Sequence, residues 1–276
     1  MSQKQVALVT GASSGIGKAV AQRLMAEGLT VYVAARNVDE MADLADQGAI
    51  PLQMDITVPD EVSRAVAAIT GAHGGVDILV NNAGFGLYGA VEDTKLDDAR
   101  HQFEVNLFGL ARLTQLLLPA MRDRRAGRII NISSMGGRIY TPLGAWYHAS
   151  KHALEGWSDC LRLELASYGI DVVVVQPGLI QTGFGDEIAG QIIKRSGYGG
   201  YSTLAHAIAA TIERSYAKGG GSPAGQVADV VARAVAAAKP RTRYVTGKYA
   251  RRLIWARWIL GDRAFDRLVM RQMGNS

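Results

Sequence analysis

The strict alternation of short apolar runs with helix-length amphipathic stretches constrains this chain more than any other feature. The runs are rich in Val, Ile and Leu and lack a polar–apolar alternation, which is typical of strands buried on both faces. Strands that alternate with helices predict a parallel sheet with right-handed crossovers. The sequence therefore predicts an α/β fold, a doubly wound parallel sheet in three layers, α/β/α. The predicted strands are Val6 to Thr10, Thr30 to Ala35, Ala49 to Met54, Val76 to Asn81, Arg128 to Ile132 and Asp171 to Gln176, and the predicted helices are Gly15 to Glu27, Val38 to Gln47, Pro59 to Ile69, Leu96 to Arg125 and Tyr147 to Tyr168.

No linker divides the chain, so we expect a single domain over residues 1–276. After Pro177 the alternation stops, and residues 182–222 form a glycine-rich stretch without a clear strand. A long irregular insert after a strand end predicts a lid over a ligand cleft, and an ordinary surface excursion is the alternative. Ser222 and Pro223 predict the N-cap and first residue of a helix that ends near Ala238.

The C-terminal end is basic and amphipathic. Residues 239–276 hold ten Lys or Arg and two Asp, a net charge of +8, so the rest of a chain that carries +5 sums to −3. A last strand is predicted over Arg241 to Thr246, followed by an amphipathic segment over residues 248–273 that is broken near Gly261. This segment could close a substrate cleft, lie on a membrane surface or pack as core, and we favour the cleft. Its apolar residues are Leu253, Ile254, Trp255, Trp258, Ile259 and Leu260, flanked by Arg251, Arg252 and Arg257.

Several classes of protein are disfavoured. The single cysteine, Cys160, excludes an internal disulfide and a Cys-based zinc site, and we predict no metal site. Met1 to Lys4 is short and polar and predicts no signal peptide, and no apolar run reaches the roughly 18 residues of a membrane span. We expect a cytoplasmic protein, with no nucleic-acid partner.

Three glycines, Gly11, Gly15 and Gly17, join the first strand to the first helix with the spacing GxxxGxG. Such a turn lets the backbone approach a pyrophosphate, which then lies at the positive N-terminus of the helix. A glycine-rich string alone is weak evidence, but here a strand precedes it and a helix follows, as the motif requires. The segment predicts a dinucleotide site.

The end of the second strand bears on which dinucleotide binds. An acidic residue there would accept a hydrogen bond from the ribose 2′-hydroxyl, but this chain has Ala35 followed by Arg36. A guanidinium suits a 2′-phosphate because it can bind phosphate through two hydrogen bonds. We therefore predict NADP(H), with a solvated helix start as the alternative role of Arg36.

Tyr147 and Lys151 begin a predicted helix with a spacing that puts them on one face. Because an ammonium stabilises a phenolate, we expect a lowered pKa for Tyr147, which would let it exchange protons near neutral pH. Ser133 and Ser134 follow the strand that ends at Ile132, where strand ends face the ligand crevice and a hydroxyl can donate to a carbonyl. Both serines are also ordinary turn formers.

In these features the sequence resembles the short-chain dehydrogenase/reductase family, in its single-domain branch, over about residues 5 to 182. The resemblance implies a Rossmann-type fold. The matching residues are Thr10-Gly11-Ala12-Ser13-Ser14-Gly15-Ile16-Gly17, Asp55, Asn81-Asn82-Ala83-Gly84, Asn106, Ser134, Tyr147, Lys151, Pro177-Gly178 and Thr182. Position 14 is Ser, where many NADP-preferring relatives carry a basic residue, so the NADP(H) prediction depends on Ala35 and Arg36.

The resemblance also implies a role for each residue. Tyr147 would be the proton donor or acceptor, Ser134, thirteen residues earlier, would polarise the carbonyl, and Asn106 would help hold a water in a proton relay. Lys151 would also bond the nicotinamide ribose. Asp55 would bond the adenine, Asn82 would fix its loop, Ala83 and Gly84 would line the ribose, and Thr182 would hold the carboxamide. The implied cofactor-binding set is Gly11, Ser13, Ser14, Gly15, Ile16, Gly17, Arg36, Asp55, Ile56, Asn82, Ala83, Gly84, Tyr147, Lys151, Pro177, Gly178 and Thr182.

The predicted activity is therefore hydride transfer between NADP(H) and a small-molecule alcohol or carbonyl compound. The stretches Asn82 to Ala90 and Arg241 to Gly247 are similar to relatives that act on steroids, retinoids and other lipophilic carbonyls. A homodimer or homotetramer is expected by analogy with the family. The alternative function is a dinucleotide-binding regulator without activity, which the intact set of Asn106, Ser134, Tyr147 and Lys151 disfavours.

Overall fold

The computed structural model describes residues 4–217 and 220–273, apart from the side chain of Asp186. Seven parallel strands form one sheet in the order β3-β2-β1-β4-β5-β6-β9, which confirms the predicted doubly wound α/β fold. Two further strands, β7 and β8, pair with each other. The strands are β1 Val6–Thr10, β2 Thr30–Ala35, β3 Ile50–Gln53, β4 Ile78–Asn81, β5 Gly127–Ile132, β6 Ile170–Pro177, β7 Ile180–Gln181, β8 Ser222–Pro223 and β9 Arg243–Thr246.

Helices cover both faces of the sheet and complete the three layers. Side chains alternate along each strand, so that in β1 Val9 packs toward α1 and α9 while Leu8 packs toward α3, α5 and α6. Both side chains are fully buried, which explains why the strands lack a polar face. The helices are α1 Gly15–Ala26, α2 Ala42–Asp46, α3 Pro59–His73, α4 Leu96–Phe103, α5 Leu110–Arg124, α6 Ala145–Leu165, α7 Phe184–Ser196, α8 Ser202–Tyr216, α9 Ala224–Ala236 and α10 Ala250–Gln272.

The strand order reverses between β1 and β4, and ligands of open α/β sheets bind at such a switch point. The carboxyl ends of β1, β4, β5 and β6 lie side by side at this edge. The loops that follow these ends begin at Gly11, Asn82, Ser133 and Gly178. The topology therefore gathers the predicted site segments in one place.

The predicted helix from Leu96 to Arg125 is interrupted. A π-helical turn, Glu104–Gly109, separates α4 from α5 and contains the buried Asn106. The turn brings Gly109 against the loop that follows β3. A Cβ added to Gly109 would lie 2.5 Å from the carbonyl oxygen of Ile56 in that loop. Single π turns inside helices are frequent at functional sites.

The stretch predicted to be irregular is mostly helical. α7 and α8 pack against each other through Ile188, Ile192 and Ile208, and the insert is therefore a helical hairpin. The prediction of Ser222 as an N-cap is wrong, because Ser222 N donates to Leu179 O (2.9 Å) as part of the β7–β8 pairing. α9 instead begins at Ala224, with Pro223 in the capping position.

The last helix has the predicted break. Gly261 in α10 has φ 68° and ψ 179°, so the helix consists of two segments that meet at this residue. The second segment buries Phe265 and Val269 in a small cluster with Ile139. Within the described ranges, no helix is both long and apolar enough to cross a membrane.

Candidate active site

The glycine loop between β1 and α1 has the geometry that close approach requires. Gly11 and Gly15 have positive φ angles of 64° and 54°, a region that glycine adopts without steric cost. A Cβ on Gly17 would lie 2.2 Å from Gly11 O and 2.5 Å from the side-chain nitrogen of Asn82. Glycine is therefore needed because the loop packs closely against itself and against Asn82.

Asn82 and Thr10 hold the glycine loop to the loop after β4. Asn82 Nδ2 donates to Thr10 O and Gly11 O, both at 3.0 Å. The hydroxyl of Thr10 accepts from the backbone N–H groups of Asn82 (3.1 Å) and Ala83 (3.0 Å). The predicted role of Asn82 in fixing its loop corresponds to these bonds.

The N-terminus of α1 fits the diphosphate of a dinucleotide. Ser14 occupies the capping position with extended backbone, and within the described part of the chain its side chain makes no capping hydrogen bond. The first N–H groups of a helix have no partner within it and carry a partial positive charge. Ser14 and Gly15 line a cavity, so these donors are available to an anionic group there.

Tyr147 and Lys151 lie one turn apart on α6, and both are buried. Burial raises the pKa of Tyr147 to about 12, although a hydrogen bond with the Ser134 side chain opposes part of the rise. The predicted lowering of this pKa is wrong in this structure, because desolvation outweighs any effect of the ammonium. Burial lowers the pKa of Lys151 to about 8, against the opposing charge of Glu155, and Lys151 Nζ donates to Ile132 O at 3.0 Å.

The two serines after β5 differ in their contacts. Ser134 Oγ accepts from Gly136 N (3.0 Å), and of the two serines it is the one whose side chain lowers the pKa of Tyr147. Ser133 Oγ is buried and has no hydrogen-bond partner among the described residues. This effect on the pKa of Tyr147 favours Ser134 over Ser133.

Asn106 links three segments of the site from the π-helical turn. Its side chain exchanges two hydrogen bonds of 3.1 Å with the backbone of Phe85, and Asn106 Nδ2 also donates to Ser150 Oγ at 3.0 Å. A Cβ on Gly84 would lie 3.1 Å from Asn106 Oδ1 and 3.6 Å from Lys151 Nζ. Asn106 and Lys151 therefore both lie close to Gly84.

His148 fixes the loop that carries Ser134, a role that the sequence did not reveal. His148 Nε2 accepts from Thr141 N (3.1 Å), so the proton is on Nδ1, which donates to Gly136 O (2.9 Å). Burial lowers the pKa of His148 to about 4, and the imidazole is neutral at physiological pH.

One cavity of about 690 Å³ brings most of the predicted site residues together. Thr182 lies over the glycine loop, since a Cβ on Gly15 would be 3.1 Å from its methyl group. The predicted residues that line the cavity are Gly11, Ser14, Gly15, Ile16, Asn82, Gly84, Ser134, Tyr147, Lys151, Pro177, Gly178 and Thr182.

Seven predicted residues do not line this cavity. Ser13, Gly17, Ala83 and Asn106 belong to the segments that surround it, and three others lie farther along the same sheet edge. Arg36 follows β2 and is exposed, with no ion-pair partner in residues 4–217 and 220–273. Asp55 follows β3, where its Oδ1 accepts from Thr57 N (2.8 Å) and Thr57 Oγ1 (2.7 Å) and orders a turn. Ile56 beside it is buried. No group of three or more potential metal ligands occurs among the described residues.

The far wall of the cavity was not predicted residue by residue. Tyr88 and Phe184 stack near the Tyr147 ring, with centroids 5.5 and 5.8 Å away. The stretch that contains α8 has no clear strand pattern in the sequence, and nothing in the sequence indicates that Tyr216 lines the same cavity as Tyr147. The apolar lining of this wall includes Ile188, Ile208, Ile212, Leu253, Phe265, Val269 and Met273.

Comparisons with known proteins agree with this site. The sequence profile of the family described as short chain dehydrogenase matches residues 5–192. The chain is 41% identical over 194 residues to a 3-ketodihydrosphingosine reductase of Bacteroides thetaiotaomicron, covering 68% of this chain and 71% of the relative. It is also 41% identical over 189 residues to the dehydrogenase/reductase SDR family member 7B of Rattus norvegicus, covering 64% of this chain and 58% of that protein.

Solved structures share the fold over most of the chain. A short-chain dehydrogenase from Streptomyces avermitilis superimposes with a TM-score of 0.79 at 32% identity, covering 94% of this chain and 93% of its own. An actinorhodin polyketide ketoreductase variant, solved with NADPH, gives a TM-score of 0.75 at 33% identity and covers 88% and 95%. A short-chain dehydrogenase/reductase from Burkholderia phymatum, solved with NAD, gives 0.79 at 26% identity and covers 93% of each chain.

The matched profile includes the glycine loop, Ser134, Tyr147 and Lys151, all of which line one cavity at the switch point of the sheet. The chain thus belongs to the short-chain dehydrogenase family, and it is an oxidoreductase that uses a nicotinamide dinucleotide.

Proposed function

We propose that this protein interconverts a lipophilic ketone or aldehyde and the corresponding alcohol, with NADP(H) as the cofactor. The observation that carries the proposal is the cavity itself, whose lining combines Ser134, Tyr147 and Lys151 with a large set of apolar side chains. A hydroxyl pair beside an apolar wall suits a substrate with one polar carbonyl and a large hydrocarbon body. One relative is named 3-ketodihydrosphingosine reductase, and a lipophilic ketone is compatible with that name.

The residues divide the chemistry of carbonyl reduction among them. The bound cofactor supplies the hydride. The hydroxyl of Tyr147 gives its proton to the carbonyl oxygen, and the raised pKa of Tyr147 keeps the phenol protonated, as a proton donor must be. Ser134 donates a hydrogen bond to the same oxygen, which stabilises the negative charge that develops there. The reverse proton movement serves alcohol oxidation.

Lys151 and Asn106 hold the framework around that proton transfer. Lys151 Nζ donates to Ile132 O, and the Lys151 side chain is positively charged at pH values below its own pKa of about 8. Asn106 holds the loop at Phe85 and the first turn of α6 at Ser150. The first N–H groups of α1 and the backbone of Gly84 would hold the cofactor.

The preference for NADP(H) rests on the end of β2. Ala35 stands where a carboxylate would repel a 2′-phosphate, and the exposed Arg36 is next to it. NADPH should bind at least about tenfold more tightly than NADH, and Arg36→Ala should reduce this ratio with little change in NADH binding. Arg64→Ala, at an exposed position on α3, is the matched control. Equal dissociation constants for the two cofactors by fluorescence titration would contradict the preference.

A substrate screen tests the activity itself. We expect NADPH oxidation with large apolar ketones and a much higher KM for small hydrophilic ones. Tyr147→Phe should bind NADPH normally but reduce turnover by about 10²- to 10⁴-fold, because only the proton donor is removed. Cofactor binding without turnover on any carbonyl in the panel would instead support a regulator without activity.

A further inference from the structure

The first segment of α10 presents an exposed face that the fold does not need. Trp255 is 67% exposed, Trp258 79% and Ile259 53%. Their spacing of three and four residues puts them on one side of the helix. We call this surface, together with the exposed Arg251 and Arg252, the Trp–Arg face.

The opposite side of the same segment is the one that packs. Leu253 and Ile254 contact the cluster of Ile139 and Phe265, and Leu253 also lines the catalytic cavity. Burial of this side anchors the segment without help from the two tryptophans. Large apolar side chains that are exposed together mark a contact surface more often than chance placement does.

The charges around the face are basic and largely free of carboxylates. Lys248, Arg251 and Arg252, together with Arg233, line an open groove of about 660 Å³ beside the face. Asp229 also lines this groove, but it is paired with Arg23 (3.1 Å). Arg257 forms an ion pair with Asp262, and its guanidinium lies over the ring of Tyr140.

We propose that the Trp–Arg face docks on an anionic lipid bilayer. Tryptophan suits the interface between headgroups and acyl chains, and a basic groove beside it complements anionic headgroups. A second copy of the chain is a poor occupant, because a two-fold contact would bring Arg251 and Arg252 against themselves. A nucleic acid would bind the arginines, but its phosphates would make no favourable contact with the exposed aliphatic side chain of Ile259.

Docking at this place would put the catalytic cavity at the membrane surface. Tyr249 precedes the Trp–Arg face, is 44% exposed and lines both the cavity and the basic groove. A lipophilic substrate could then enter from the bilayer past Tyr249 and Leu253. The docking does not depend on the proposed substrate, since neither tryptophan lines the cavity.

The test is co-flotation of the full chain with vesicles of phosphatidylcholine alone and of phosphatidylcholine with phosphatidylserine. Wild type should float with the anionic vesicles only, and added salt should release it. The double variant Trp255→Ser/Trp258→Ser and the double variant Arg251→Gln/Arg252→Gln should each weaken binding about tenfold or more. Leu163→Ser, 73% exposed on α6, and Arg64→Gln are the matched controls and should float as wild type does.

Turnover of a water-soluble ketone and the thermal midpoint should be unchanged in all variants, which separates docking from folding and from catalysis. The proposal is overturned if folded wild type does not float with anionic vesicles, or if the tryptophan variant floats equally well. It is also overturned if light scattering shows that the tryptophan variant loses self-association, or if the face binds a nucleic-acid duplex more tightly than vesicles.

Discussion

Glycines occur both in the cofactor loop of the nucleotide-binding part and in the helical hairpin of the C-terminal part, but their surroundings differ. In the glycine loop, a Cβ on Gly17 would collide with backbone 2.2 Å away. In the helical hairpin, Gly190, Gly199 and Gly200 have no atom within 4 Å of such a Cβ. The glycine loop packs so closely on itself that Gly17 cannot carry a side chain, whereas these three positions of the hairpin have room for one. Gly185 in the same hairpin does not, because its Cβ would lie 2.4 Å from the Tyr216 ring.

The two parts differ in their cores as well. The sheet is buried between two large clusters that contain β1, β2, β4, β5 and β6. The walls of the substrate end are held by smaller clusters, one around α7 and α8 and one around Phe265. We therefore expect the first part to open only when the whole protein unfolds, whereas the second part can unfold locally.

Two alanine substitutions should give the largest contrast. Leu79→Ala in β4 removes a fully buried side chain from the central sheet and should lower the free energy of unfolding by about 2–5 kcal/mol. Phe265→Ala, equally buried, should loosen α10 and raise the KM for large ketones while the sheet stays intact. Hydrogen exchange and denaturant titration measure both effects. If Phe265→Ala lowered protection throughout the sheet, the C-terminal part would belong to the main core.

A glycine pair tests the close contact in the cofactor loop. Gly17→Ala forces the backbone of Gly11 or the side chain of Asn82 to move, which should cost about 3 kcal/mol of stability and most of the dinucleotide affinity. Gly71→Ala, exposed in α3 with no atom near its Cβ, should stabilise the protein by about 0.5–1 kcal/mol. Equal midpoints and equal NADPH affinity for the two variants would show that the loop accommodates a methyl group.

His148, which fixes the loop that carries Ser134, should give the smallest effect, visible only in acid. Its pKa is lowered by burial to about 4, so folding favours the neutral form. The resulting stability is complete above pH 6.5 and is lost as the pH falls toward 4, by about 2 kcal/mol at pH 5. His148→Gln should flatten this dependence, and His206→Gln, at an exposed position, is the control. Parallel stability–pH curves for wild type and His148→Gln would contradict the assignment.

The sequence determined the sheet and the chemistry-bearing positions. Runs such as Val6–Thr10 have few alternatives to a buried strand, because five consecutive apolar or small residues cannot face water. The break at Gly261 was also predictable, since glycine adopts a positive φ without cost. Ser134, Tyr147 and Lys151 line one cavity as the family resemblance implied.

Short-range patterns misled at Ser222 and in the glycine-rich insert. Ser222 has the composition of an N-cap, but its N–H is bonded to Leu179, a residue 43 positions earlier in the chain. The helices α7 and α8 form because Ile192 and Ile208 can bury against each other, which only their relative position in space permits.

The protonation of the site was the clearest property that only the tertiary structure decided. The sequence placed Lys151 one helical turn from Tyr147 and predicted a lowered pKa for the tyrosine. Folding surrounds the ring with Tyr88 and Phe184 and directs the ammonium to Ile132 O, so that burial raises the pKa of Tyr147 to about 12. Spacing along a helix fixes which groups are neighbours, but the dielectric environment depends on segments that are distant in the sequence.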